Sequence, residues 1–168
     1  MTSPDGLKSS FAPVADAATR VLILGSLPGE ASLRRAQYYA HPRNQFWRLM
    51  EAVTGRGLVD LAYPERLAAL GAAGVGLWDV IASARRAGSL DADIRDHQPN
   101  TLAAFTATLP ALRAVGFNGA KAYQIGGRQL GGARPALIAL PSSSPAHAAL
   151  SFERKQEAWL RLSPFLGD

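Results

Sequence analysis

Four short apolar runs, at residues 21–24, 74–80, 112–117 and 136–140, constrain this chain more than any other feature. Each is too short for a buried helix and is apolar without alternation, the pattern of a strand covered on both faces of a parallel sheet. Segments of helical spacing separate them. Phe46, Leu49, Met50 and Val53 form one apolar stripe, and Leu67 with Leu70 closes another that begins after Pro64. Leu102, Phe105 and Leu109 fit a third helix, and residues 119–130 a fourth. A last helix from about Ser151 turns Phe152, Trp159 and Leu162 inward and leaves Glu153, Arg154, Lys155 and Glu157 in solvent. Strands that alternate with helices need right-handed crossovers, so the spacing predicts an α/β fold. The expected architecture is a three-layer α/β/α sandwich around a central four-stranded parallel sheet. With 168 residues, 48% of them hydrophobic, one such core is affordable and a second is not. Residues 1–19 are polar and proline-punctuated and read as an N-terminal arm, lying over the domain or partly loose, and the domain then comprises residues 20–168.

What is missing from the composition narrows the chemistry. There is no cysteine, which excludes disulfides, thiolate nucleophiles and cysteine-ligated zinc or iron-sulfur centres. His41, His97 and His147 are the only histidines, so neither a metal site nor another cofactor is expected. No apolar run approaches the length of a membrane span, and the first ten residues lack the basic start and apolar middle of a signal peptide; a soluble, cytoplasmic monomer is the expectation. Eighteen basic residues against 13 acidic ones leave a net charge of +5, and 15 of the basic residues are arginine. That bias favours a polyanionic partner such as nucleic acid. Two bland alternatives stand beside it, a solubility feature or a compositional bias of an Ala- and Arg-rich sequence.

In a parallel sheet of this kind ligands bind beyond the carboxyl ends of the strands. The loops to inspect therefore begin near Gly25, Asp79, Asn118 and Pro141. The first reads Gly25-Ser26-Leu27-Pro28-Gly29-Glu30, whose glycines and proline hold main-chain N–H groups out of secondary structure, free for an anion or a carbonyl oxygen. Beyond it, Tyr38-Tyr39-Ala40-His41-Pro42-Arg43-Asn44-Gln45-Phe46-Trp47 packs two tyrosines, a His-Pro turn and amides before an amphipathic helix. Asn44 stands where a helix N-cap belongs, and the tyrosines are equally compatible with ordinary half-buried aromatics. The last loop, Pro141-Ser142-Ser143-Ser144-Pro145-Ala146-His147, offers a rigid neutral surface of hydroxyls suited to phosphate oxygens, or else is a plain turn into the last helix.

Taken together, these stretches resemble the uracil-DNA glycosylase superfamily, most closely its hypoxanthine-DNA glycosylase branch, from about Val21 to the last helix. The first motif of the family is similar to Gly25-Ser26-Leu27-Pro28-Gly29 with its extension through His41-Pro42-Arg43-Asn44-Gln45-Phe46-Trp47, and the serine motif is similar to residues 141–148. Phe117-Asn118-Gly119 resembles a strand end of the thymine and mismatch-specific branches. In several branches the third position of the first motif is an Asn or Asp that positions water; here it is Leu27, as is typical of the hypoxanthine branch, whose catalytic amide maps onto Asn44. Leu140 replaces a histidine that supports the leaving base in the best-known uracil enzymes, which argues against strong uracil activity.

The resemblance implies a monofunctional glycosylase that hydrolyses the N-glycosidic bond of deaminated bases in double-stranded DNA carrying a damaged or mismatched base. Hypoxanthine is the first expected base and uracil in mismatches the second. Asn44 would orient the water, Tyr39 would stack on the flipped base, and main-chain donors around Ser26 and Leu27 would stabilise the departing base. Trp78, Asp79 and Asn118 would line the base pocket, with core packing the alternative for Trp78. Asp79 either carries a proton and binds the base or caps its loop and shapes the pocket. Ser142 and Ser143 are expected on phosphates, and the loop with Ser144, Pro145, Ala146 and His147 pressed into the duplex. No lysine lies in these loops except Lys121, just after Asn118, so no lyase step is expected. The competing class is a non-catalytic binder of damaged DNA or a small nucleotide-binding module.

Overall fold

The strand β2 (Val21–Gly25) runs buried along its whole length through the middle of the molecule, as its unbroken apolar sequence requires. A computed structural model describes residues 6–132 and 134–167. In chain order they form β1 (Leu7–Ser9), β2, α1 (Glu30–Arg35), α2 (Phe46–Thr54), α3 (Tyr63–Ala73) and β3 (Val75–Asp79). Then follow β4 (Ile81–Arg85), β5 (Arg95–Pro99), α4 (Leu102–Thr106), β6 (Ala114–Asn118), α5 (Ala120–Leu130), β7 (Ala136–Leu140) and α6 (Phe152–Trp159), with 3₁₀ turns at Asp91–Asp93 and Leu160–Leu166.

β2, β3, β6 and β7 make one parallel sheet in the spatial order β3-β2-β6-β7, with Val21 level with Val75 and Ala114. The fold is therefore α/β with the expected four-stranded parallel sheet. Side chains of β2 alternate between its two faces. Val21 and Ile23 pack under α2, α3 and α6 against Phe46, Leu49, Met50, Leu70 and Trp159. Leu22 and Leu24 pack the other way, against Leu102, Val115, Phe117 and Ala122. Between α3 and β3 the chain reverses on Gly74, whose φ of +91° few other residues adopt without strain. Consecutive strands leave β2 first toward β3 and later toward β6. The crossover directions diverge there, and such a divergence opens a crevice at the carboxyl ends.

Two features differ from the spacing argument. The helix expected through Leu109 ends at Thr106, and Leu109 is buried from the turn that follows. A second sheet is also present, antiparallel and of order β1-β4-β5, packed beside α4 and α5 through Ile81, Ala84 and Ile94. Its outer strand, Arg-Asp-His-Gln-Pro, is exposed throughout and has no apolar alternation to betray it. Its first strand belongs to the expected arm and pairs Leu7, Lys8 and Ser9 with Arg85, Ala84 and Ser83; the arm's first five residues lie outside those described.

Close packing of α5 on the sheet gives a direct test of this architecture. A Cβ at Gly126 would stand 2.4 Å from Phe117 Cε1 and 2.9 Å from Val80 Cγ1. Overpacking of this kind costs roughly 1–3 kcal/mol, against about 1 kcal/mol gained by removing a helical glycine. Gly126→Ala is therefore expected to be destabilised in urea unfolding at unchanged slope; a variant more stable than the wild type would show that α5 does not sit this close.

Candidate active site

The crevice at the carboxyl ends of the sheet is a cavity of about 790 Å³. It receives Gly25 to Glu30 from the end of β2, Asp79 from β3, Asn118 from β6, and residues 142–147 from the loop after β7. Tyr39 and Asn44 enter from the connection between α1 and α2. Of the residues singled out from the sequence, the fold brings Ser26, Leu27, Tyr39, Asn44, Asp79, Asn118, Ser142, Ser143, Ser144, Pro145, Ala146 and His147 to this one place. Trp78 is not among them. It precedes Asp79 on β3, so the pleat sends it to the opposite face, where its ring meets Phe105 at 4.7 Å and its Nε1 donates to the Phe11 carbonyl. Its alternative reading as core packing is the one the geometry supports.

Asn44 is held by a hydrogen-bond chain whose polarity is fixed at every link. The Phe46 N–H can only donate, so the Asn44 atom 2.9 Å away is its oxygen. The Ser143 N–H likewise donates to Asn118 Oδ1 at 2.9 Å, which leaves Asn118 Nδ2 to donate to Ser143 Oγ at 2.9 Å. Ser143 has one hydroxyl proton and directs it to Asn44 Oδ1 at 2.8 Å. Both lone-pair directions of that oxygen are thereby taken. The amide Nδ2 has no protein partner among the described residues, so it is the donor atom Asn44 presents to the cavity. A tight turn holds the backbone, with the Asn44 N–H on the His41 carbonyl and the Arg43 N–H on His41 Nδ1. Asn44 is not itself the N-cap, which is Gln45 with no side-chain cap bond, but from one residue earlier its Oδ1 takes the first N–H of α2.

Tyr39 adopts a φ of +54° and stacks its ring on Phe46 with centroids 3.8 Å apart. One of its two faces is thus occupied before any base arrives. Its hydroxyl is buried; the Asn118 amide lies near it but closes no well-formed hydrogen bond. Burial first, and the Asp79 carboxyl second, hold the phenol well above its ordinary titration range. Asp79 is 4% exposed and its Oδ2 has no partner. Burial and, after it, the neighbouring Asp91 push its carboxyl up to about 7, while Arg86 pulls the other way. On the first loop, the Gly25 and Ser26 carbonyls accept from Val80 and Ile81, and Ser26 Oγ donates to Asp91 at 2.6 Å. The N–H groups of Leu27 and Gly29 take no part in these bonds among the described residues and remain as main-chain donors.

The serine loop divides into a buried half and an exposed tip. Ser143 is 1% exposed and its hydroxyl is fully engaged, so it is not available to a phosphate; it orients Asn44 instead. Ser142 accepts from the Ser144 N–H and Ser144 from the Ala146 N–H, which stiffens the turn, while Pro145, Ala146 and His147 stand in solvent. Beneath it, Trp159 Nε1 donates to the Pro141 carbonyl and the buried Lys155 ammonium to the Ser144 carbonyl.

One wall of the cavity was not foreseen. Residues 89–92 line it opposite the serine loop. That wall is tied down by the buried Arg86, which donates to the Pro28 and Gly88 carbonyls, and by the buried Lys8, which pairs with Glu30 and donates to the Gly88 carbonyl. Ser89 Oγ accepts from the Glu30 N–H at 2.9 Å. The available signal was a lone lysine, Lys8, and the second of two adjacent arginines, Arg86, in stretches with no catalytic pattern. Among the described residues no cluster of three His, Cys, Asp or Glu side chains could hold a metal ion, and no helix is long and apolar enough to cross a membrane.

The profile of the Uracil DNA glycosylase superfamily matches residues 12–163. A protein of Methanosarcina barkeri described as a hypoxanthine DNA glycosylase is 45% identical over 114 residues, covering 68% of this chain and 72% of that one. One of the same description from Methanosarcina acetivorans is 40% identical over 151 residues, 90% of this chain and 95% of its own. A solution NMR structure from Methanosarcina acetivorans, described as a candidate uracil DNA glycosylase, superposes with a TM-score of 0.82 at 40% identity over 95% of this chain and 98% of that one.

Proposed function

Since the chain belongs to the uracil DNA glycosylase superfamily, we propose that it is a monofunctional DNA glycosylase that excises hypoxanthine from deoxyinosine, and uracil in mismatches as a weaker second substrate. The observation that carries this reading is the directed chain from Asn118 through Ser143 to Asn44, which aims one amide donor into a cavity large enough for a base. Binding sites do not need an amide locked from two sides; positioning a small reactant does.

The reaction follows from what these groups can and cannot do. A base must leave the stack to reach a cavity this deep, at a cost of a few kcal/mol that is smallest for a mismatched pair. Asn44 has no titratable acceptor, so it orients a water through Nδ2 without deprotonating it. Bond breaking therefore runs ahead of water attack. The sugar becomes oxocarbenium-like, and negative charge gathers on the base where the free N–H groups of Leu27 and Gly29 can meet it. Leu27 closes the side of the cavity on which an acidic residue would otherwise hold water. The exposed Pro145-Ala146-His147 tip is the part that presses into the duplex. The protein works on damaged double-stranded DNA as a monomer, with no metal in the reaction.

The test is a labelled duplex with one deoxyinosine, incubated at stoichiometric protein and split into two portions. Alkali should convert the product into a strand break, and the untreated portion should stay intact. Intact strands after alkali would remove the glycosylase reading. Breaks without alkali would make Lys121, which borders the cavity from α5, the amine of a lyase step.

A further inference from the structure

Two polar atoms at the cavity floor have no protein partner. Asp79 Oδ2 and the Tyr39 hydroxyl are both buried and unsatisfied. Their side chains meet over Gly25, where a Cβ would stand 2.7 Å from Oδ1, the other oxygen of the Asp79 carboxyl, and 3.1 Å from the Tyr39 hydroxyl. Buried polar atoms in folded proteins are nearly always satisfied, so an unsatisfied pair lining a cavity marks the polar atoms of a ligand it is shaped to meet. Nor is the Asp79 carboxyl occupied with its own turn. That turn is closed by Asn100 Nδ2, which donates to the Asp79 main-chain carbonyl at 2.8 Å.

We infer that Asp79 is a catalytic acid which, beside the Tyr39 hydroxyl, forms a two-donor pair for the N7 and O6 acceptors of the flipped hypoxanthine and delivers its proton to N7 as the C1′–N9 bond breaks. The inference rests on the glycosylase reading above and gives it a base-recognition device. Hypoxanthine carries the same two acceptors on this edge as guanine, whereas adenine replaces one by an amino group. Two donors therefore match the deaminated base and mismatch adenine. When C1′–N9 breaks, the bonding pair stays on the purine. As charge gathers on the purine the Asp79 proton neutralises it at N7, so the base departs neutral, and the Leu27 and Gly29 N–H groups act on the charge that develops before the transfer is complete. Water oxygen then bonds C1′, its surplus proton passes to solvent, and Asp79 regains a proton from solvent.

The surroundings keep that proton in place near neutral pH. Burial is the largest influence on Asp79, and the Asp91 carboxylate reinforces it. Arg86 opposes them, but its guanidinium is shared with Asp91, Glu30 and Asp93. Tyr38 and Tyr39, the remaining titratable neighbours, stay neutral phenols because burial holds both far above their ordinary range. With the carboxyl at about 7, the acid form predominates on the acid side of neutrality.

Single-turnover rates on a deoxyinosine duplex across pH 6–9, for wild type and Asp79→Asn, test this. The wild-type rate should fall about tenfold per pH unit above the Asp79 titration. Asp79→Asn keeps a donor but has no proton to transfer, so its rate should drop about 100-fold with KM little changed and become independent of pH. A duplex carrying 7-deaza-2′-deoxyinosine lacks the N7 acceptor. It should slow the wild type about 100-fold and cost Asp79→Asn nothing more. Thermal unfolding gives a readout separate from turnover. A carboxyl with a raised folded-state pKa contributes stability below its ordinary range that is lost as pH rises through about 7, and Asp79→Asn should lack that loss. A wild-type rate that is flat or rises with pH, an Asp79→Asn protein as fast as wild type, or undiminished cleavage of the 7-deaza duplex would each overturn the inference while the glycosylase reading stands. No cleavage of deoxyinosine by the wild type would overturn both.

Discussion

Asn44→Ala is expected to lose about 10²–10³-fold in single-turnover rate on a deoxyinosine duplex, the range typical of removing one preorganised donor from an active site. The same substitution strips the acceptor from the first N–H of α2, which costs about 1 kcal/mol of stability. Asn44→Asp separates the two effects. It keeps the oxygen that accepts from Phe46 and Ser143, so the cap and the chain survive, and it replaces only Nδ2. Because the free atom of Asn44 is the donor, the aspartate variant should be folded, normally stable and about as slow as Asn44→Ala. An aspartate variant with wild-type rates would place the working atom on the oxygen and break the polarity argument.

The second large effect is expected at a position with no side chain. Gly25→Ala would put a methyl group 2.7 Å from Asp79 Oδ1 and 3.1 Å from the Tyr39 hydroxyl, inside contact distance of both. Neither can withdraw freely. Tyr39 is stacked on Phe46, and Asp79 is buried at the end of β3. A displacement approaching 1 Å at a reacting group costs on the order of 10²-fold, and kcat/KM on deoxyinosine should fall by that order. β2 itself remains paired on both sides through its main chain, so circular dichroism should report a folded protein. Full activity in Gly25→Ala would show that the crowding over this glycine is not part of the site.

The parallel sheet was legible because its strands carry continuous apolar runs, and its loops were legible because glycine, proline and serine cluster after each run. Asn44 could be named from its stretch, but its orientation could not. That orientation depends on Ser143 and Asn118, which approach it only through the tertiary fold. The same absence of long-range information assigned Ser143 to phosphate, although its hydroxyl is enclosed. Trp78 was drawn into the pocket by adjacency to Asp79, and the pleat of β3 separates the two. The antiparallel sheet escaped notice because a three-residue strand and an exposed polar strand show no periodicity. The wall at residues 89–92 escaped with it, since Lys8 and Arg86 acquire their meaning only once buried.

The chain that aims Asn44 also has a kinetic meaning. Its links join residues 99 positions apart and 25 positions apart along the polypeptide, so no local segment holds the whole of it. Contacts of such long range form late, after their loop-closure entropy has been met by the rest of the structure. A chain still emerging, or partly unfolded, can offer its basic residues to DNA but cannot open a glycosidic bond. Competence for bond cleavage thus depends on contacts that only the assembled fold supplies.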